Sequence, residues 1–275
     1  MSIETKFARI GARARWHVAE PERQWDFRRR RWTASAVRPV AIDVVRDRRG
    51  EYFDIAVRRD VKVEALDVDA RDRHLLLLAR VGEEKPRYLC GHDERHWFVA
   101  AIPEATPVST VEGAKLALRP RAVVRGPASS RKRLLARRTA EYVRQGEWFF
   151  VPMPEFRPGE NEPLRRNEPI SRGVGSTPHV AAEAIRTGGV VIWFPQIAFR
   201  PDSRHVRGYS EAEMERLAKA HPRWTWRTML RNPELYVRGA VRHPDHATIA
   251  LRGWHRVFMN TESQARAAAH VVFLD

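Results

Sequence analysis

Alternation of apolar and polar positions dominates the first half of the chain. Tyr52–Val57, Val61–Val68, His74–Val81, Tyr88–Cys90 and Trp97–Ile102 each fit the two-residue period of a strand. Ala36–Val45 predicts another strand, ahead of a turn at Asp47-Arg48-Arg49-Gly50. Together they predict an antiparallel meander, preceded by a basic region that shows little clean periodicity. A short helix is expected at Val111–Leu118, capped by Ser109 or Thr110 and stopped before Pro120.

Beyond a connector at residues 125–128, the pattern turns helical. Arg131–Gln145 predicts a helix capped by Ser129 or Ser130 and closed by Gly146. Its first turn holds Arg131, Lys132 and Arg133, where the macrodipole opposes cations, a local conflict that points toward function. Glu147–Pro152 reads as an aromatic strand. Residues 153–178, dense in Pro, Gly, Asn and Glu, read as a linker or a long functional loop. His179–Ile185 and Val190–Phe194 predict a hairpin turning at Thr187-Gly188-Gly189. Ser210 and Glu213 form a capping box for a helix over residues 211–220, and Trp224–Arg231 suggests a further turn or two of helix. Strands are expected at Leu235–Val241, Thr248–Leu251, Trp254–Met259 and Val271–Leu274.

The pattern therefore predicts an α+β, β-rich fold of antiparallel sheets and hairpins with three to four short helices. It divides into a basic N-terminal part, 1–125, and a C-terminal part, 126–275, which can also be one continuous domain. No fixed repeat occurs, and neither a GxGxxG nor a P-loop pattern is present.

Composition narrows the class. With 43% hydrophobic residues and nine Trp, the 275-residue chain can bury a core, which excludes global disorder. The longest apolar runs, Leu75–Ala79 and Val190–Pro195, fall far short of the roughly 20 residues of a membrane span. The charged N-terminus does not read as a secretory signal, so a soluble cytoplasmic protein is expected. A single cysteine, Cys90, excludes an internal disulfide framework and a Cys-only metal site.

Charge then changes the picture. Fifty basic residues, all but six of them Arg, stand against 34 acidic ones, for a net +16. The excess is concentrated in residues 1–50 and 101–150. Clustered guanidinium points to a polyanion, because it pairs phosphate through a fork and stacks on bases. The expected phosphate contacts are Arg28, Arg29, Arg30 and Arg31, with Arg131, Lys132, Arg133, Arg137 and Arg138 on the predicted helix. Trp32, Trp224 and Trp226 are the candidate stacking platforms. With no helix-turn-helix or zinc-finger spacing, the first expectation is a protein that binds RNA or single-stranded nucleic acid.

Discrete chemistry offers a rival. In His243-Pro244-Asp245-His246, a type I turn would set the two imidazoles side by side with a carboxylate between them. His255 would join them if the flanking strands pair. Such a set suits Zn, Mn or Fe, or general acid–base work near neutral pH. It predicts a metal-dependent hydrolase, either a nuclease or a phosphoesterase, built on His243, Asp245, His246 and His255. A third reading is a scaffold that holds an acidic protein partner on the same Arg surface. Two weaker candidates remain. One is the hairpin tip of Cys90, His92, Asp93, Glu94 and His96, which a solvated turn explains as well. The other is the loop Ser171–His179, with glycines and hydroxyls able to wrap an anion.

Overall fold

The computed structural model describes residues 2–20, 23–26, 31–34, 37–123, 136–160, 162–172, 177–196 and 208–266. The architecture is mostly antiparallel β-sheet with three helices among the described residues. No helix among them is long and apolar enough to cross a membrane.

The N-terminal layer begins with α1 (Ile3–Arg9), capped by the Ser2 side chain, which accepts from Thr5 N–H. Phe7 and Ile10 are buried one helical turn apart. β1 (Ala14–Val18) pairs in parallel with β5 (Gly50–Val57), which pairs antiparallel with β4 (Val40–Asp47). The parallel contact departs from the meander that alternation predicts. β2 (Arg23–Asp26) and β3 (Arg31–Ala34) form a separate two-stranded ribbon.

The meander itself is β6 (Lys62–Asp69), β7 (His74–Arg80), β8 (Arg87–Asp93) and β9 (His96–Ile102). Both of its faces are covered. Phe53, Leu75, Leu77, Tyr88 and Cys90 pack toward α1 and the three-stranded sheet. Leu76, Leu89 and Ala100 pack against Val111 and Ala114 of α2 (Val111–Ala117). Double coverage explains why Leu75–Ala79 is apolar without a break. Cys90 is fully buried in this core, where burial pushes its thiol pKa up, so it packs as a small hydrophobe away from any metal.

A six-stranded sheet makes the other layer, in the order β10-β11-β17-β16-β13-β12. Its strands are β10 (Val143–Gln145), β11 (Trp148–Pro152), β12 (Arg165–Ile170), β13 (His179–Thr187), β16 (Glu234–His243) and β17 (His246–Met259). β14 (Val190–Pro195) and β15 (Trp226–Arg231) form a separate ribbon, and α3 (Glu211–Ala220) starts at the Ser210–Glu213 capping box.

Several sequence expectations need correction here. Residues 143–145, read as the end of an Arg-rich helix, are strand β10, because pairing with β11 outweighs local helical periodicity. β13 and β14 are not a hairpin. β13 is held between β12 and β16, while β14 pairs with β15. Trp224–Arg231 is not helical but supplies β15. The segment read as a linker contains β12. The two short strands near residues 248–259 are one long strand, β17.

Candidate metal centre

The predicted turn at Pro244-Asp245 is present, and it joins β16 to β17 with His243 and His246 in register. Their rings lie 4.8 Å apart. The third imidazole is supplied by His179, the first residue of β13. β13 flanks β16 with Val180 opposite Arg242, so His179 falls beside His243. Three adjacent strands thus bring one histidine each to the same end of the sheet. The His179 ring stacks 4.3 Å from His243 and 5.4 Å from His246.

His179 is 2% exposed, and neither of its ring nitrogens has a hydrogen-bond partner among the described residues. Burial, with smaller repulsion from His243 and His246, lowers its pKa to about 3, so the ring is neutral at pH 7. A neutral imidazole has one donor and one acceptor, and each group left unmade in the interior costs about 1–3 kcal/mol. One nitrogen from each ring lies within 4.8 Å of the others. Tetrahedral zinc, at bonds of about 2.0–2.1 Å, asks for separations near 3.3 Å, closer than the 4.8 Å limit within which these nitrogens lie.

The surroundings are arranged around these rings. The turn between β10 and β11 is tied over them by Gln145 Nε2, which donates to the Ala247 carbonyl at 2.7 Å. Its next residue, Gly146, has φ +57°, and a methyl there would lie 2.9 Å from His246 Nε2 and 3.4 Å from His179 Nε2. A glycine therefore leaves space where the two nitrogens face. Glu94 Oε2 lies 3.5 Å from His246 Nδ1 and accepts the Ala247 N–H at 2.8 Å. Asp245 reaches both ways, with its carboxylate 3.9 Å from His243 Nδ1 and 3.4 Å from His96 Nε2. His96 Nδ1 in turn meets Glu51 Oε1 at 2.5 Å. His243 carries two longer contacts: Nδ1 accepts the Asp245 N–H at 3.1 Å, and Nε2 lies 3.3 Å from the Thr177 carbonyl.

All three rings line a cavity of about 410 Å³ between the four-stranded and six-stranded sheets. Its walls include Lys115, Arg119, Tyr142, Arg144, Arg172 and Glu262. Glu262, 2% exposed, has its pKa raised to about 7 by burial, despite Arg172 at 3.3 Å.

Of the four residues predicted as ligands, the structure brings His243, Asp245 and His246 together and leaves His255 apart. β16 and β17 do pair, but His255 stands opposite Val237, nine residues along β17 from His246, or up to about 30 Å of extended strand. Its Nδ1 contacts the Gly253 carbonyl at 3.1 Å. Sequence reasoning did not place His179 with His243 and His246. Its one signal was its place after the glycine-rich loop Ser171–Pro178, at the start of a strand.

The predicted nucleic-acid contacts are more scattered. Arg28, Arg29, Arg30, Arg131, Lys132 and Arg133 lie outside the described residues. Arg31 and Trp32 belong to β3, described by its backbone pairing. Arg137 is ion-paired with Asp93 and Glu94, and Arg138 bridges to Val143. Trp224 stacks on His221 at 4.1 Å and lies 5.9 Å from Trp226. No protein-family model, curated protein or solved structure matches the chain.

Proposed function

We propose that this protein is a metal-dependent hydrolase whose ion is held by His179, His243 and His246. The observation that carries the reading is His179, a buried neutral imidazole with both nitrogens unpartnered between two further imidazoles. Buried polar groups are almost always bonded, and three imidazoles with nitrogens within 4.8 Å of one another are the donor types of a first-row transition metal. Three protein ligands beside a cavity leave a coordination position open, as catalytic zinc sites do. An ion in such a site supplies Lewis acidity and an activated water near neutral pH. Glu94 stands 3.5 Å from His246 Nδ1, outside the triad, where a carboxylate commonly supports a metal-bound imidazole. Zinc is the first choice, with iron or manganese as alternatives.

The test is metal analysis of protein purified without a histidine tag, before and after zinc loading. About one equivalent is expected in the native chain and a small fraction of that in His179→Ala, with EDTA-sensitive hydrolysis across a panel of chromogenic esters. Equal metal content in both proteins would remove the triad from the argument.

Nucleic-acid binding is the second reading, supported by the net charge of +16 and by the stacked His221–Trp224 pair. Labelled single-stranded RNA should bind with an affinity that falls steeply with salt. Unbound RNA at low salt would end that reading and leave the metal site untouched.

A further inference from the structure

The same cavity holds a buried cation without a carboxylate. Arg119, just beyond the end of α2, is 6% exposed. Its Nη2 donates to Tyr142 Oη at 2.7 Å, and its buried Nη1 has no partner among the described residues. Burial lowers its pKa; the Tyr142 phenol acts the other way, and the nearby Arg144 guanidinium lowers it further. No carboxylate is among the groups that act on it. The other described cations of the cavity wall differ: Lys115 pairs with Asp72, and Arg172 with Glu262.

Arg144 is near enough to Arg119 for the two charges to repel. Its Nε donates at 2.8 Å to the carbonyl of Gly146, the residue that faces His179 and His246. Its one described carboxylate contact is a distant one, Asp93 at 3.8 Å. The two guanidiniums ride on one aromatic pair, Arg119 at 5.1 Å from the Tyr142 ring and Arg144 at 5.8 Å from Phe149. Those rings are 5.3 Å apart. Two like charges held together, one of them buried, cost stability unless an anion joins them.

Resting on the hydrolase reading above, we infer that this end of the cavity binds the phosphoryl group of a small phosphate monoester, with Arg119 and Arg144 as its anchors. Two guanidiniums and an ion on the triad present more positive positions than the two oxygens of a carboxylate can meet. A phosphoryl group offers three free oxygens and suits the guanidinium fork. The volume of about 410 Å³ fits a small molecule and excludes a duplex. In the reaction, a water oxygen forms a new P–O bond and the ester P–O bond breaks. The alcohol leaves with a proton from that water, and no redox partner is needed.

The experiment is calorimetric titration of the full chain with inorganic phosphate, in EDTA and after metal loading. Phosphate should bind the native protein, and Arg119→Met should weaken it about tenfold or more, with Arg119→Lys restoring only part. Arg144→Gln should weaken it comparably, and serves in place of Arg119→Met if that variant does not fold. His179→Ala should lose metal yet still bind phosphate. Metal uptake without phosphate binding would overturn this inference and spare the hydrolase reading. Phosphate binding without metal would do the reverse. Acetate binding as tightly as phosphate, or a folded Arg144→Gln with unchanged affinity, would also overturn it.

Discussion

The imidazoles of His179 and His243 lie face to face across neighbouring strands, 4.3 Å between centroids and 26° from parallel, and neither His179 nitrogen has a hydrogen-bond partner among the described residues. The pair has a consequence for stability. Unfolded, His179 titrates near 6.5; folded, its pKa is about 3. Below 6.5 the unfolded chain binds a proton that the native protein refuses, so stability is full above that pH and is lost as pH falls toward 3. Between pH 7.5 and 5 the metal-free protein should lose about 2 kcal/mol through this residue. Urea unfolding should show the loss in the native chain and a shallower one in His179→Leu. His74, with a pKa lowered to about 4 mainly by burial, leaves a residual slope of the same sign.

Gly146 separates backbone strain from damage to the site. Gly146→Ala should cost about 1–2 kcal/mol for its left-handed backbone, and its methyl, 2.9 Å from His246 Nε2, should lower metal affinity more than about tenfold. Gly188→Ala shares the backbone conformation, with φ +63° and open space for the methyl. It should lose stability alone. Zinc titration of both variants checks the contrast.

The carboxylate behind His246 is a positioning group. Glu94→Gln removes the charge 3.5 Å from Nδ1 and should weaken metal binding by about 10–100-fold with the fold retained. His255→Ala should keep full metal occupancy, because His255 stands far along β17. Metal loss in His255→Ala would contradict the three-strand site.

Glu262 gives the opposite pH signature from His179. Its pKa rises from 4.5 to about 7 on folding, chiefly through burial. The native protein holds a proton that the unfolded chain has released, so this residue lowers stability as pH rises from 4.5 through 7. Relative to the native chain, Glu262→Gln should gain on the order of 1–3 kcal/mol between pH 5 and 8, measured from denaturation midpoints. An unchanged difference across that range would show that the carboxyl ionises normally.

What the sequence determined by itself was local. Thr110 caps α2, Ser210 and Glu213 cap α3, and Pro244-Asp245 turns the chain so that His243 meets His246. Each rests on residues within four positions of one another, where backbone geometry leaves few alternatives. Alternation likewise marked β5, since a strand with one buried face carries its period in its own side chains, while β7, covered on both faces, showed as an unbroken apolar run. Only the tertiary structure decided the partners. β14 leaves β13 to pair with β15, residues 143–145 become a strand because β11 accepts them, and β13 settles beside β16. That last choice brought His179 to His243 and His246, and the stretch of β17 beyond the hairpin carried His255 away. Strand pairing is settled by competition for buried surface and backbone hydrogen bonds among segments far apart in the chain, and periodicity carries no label for the winner.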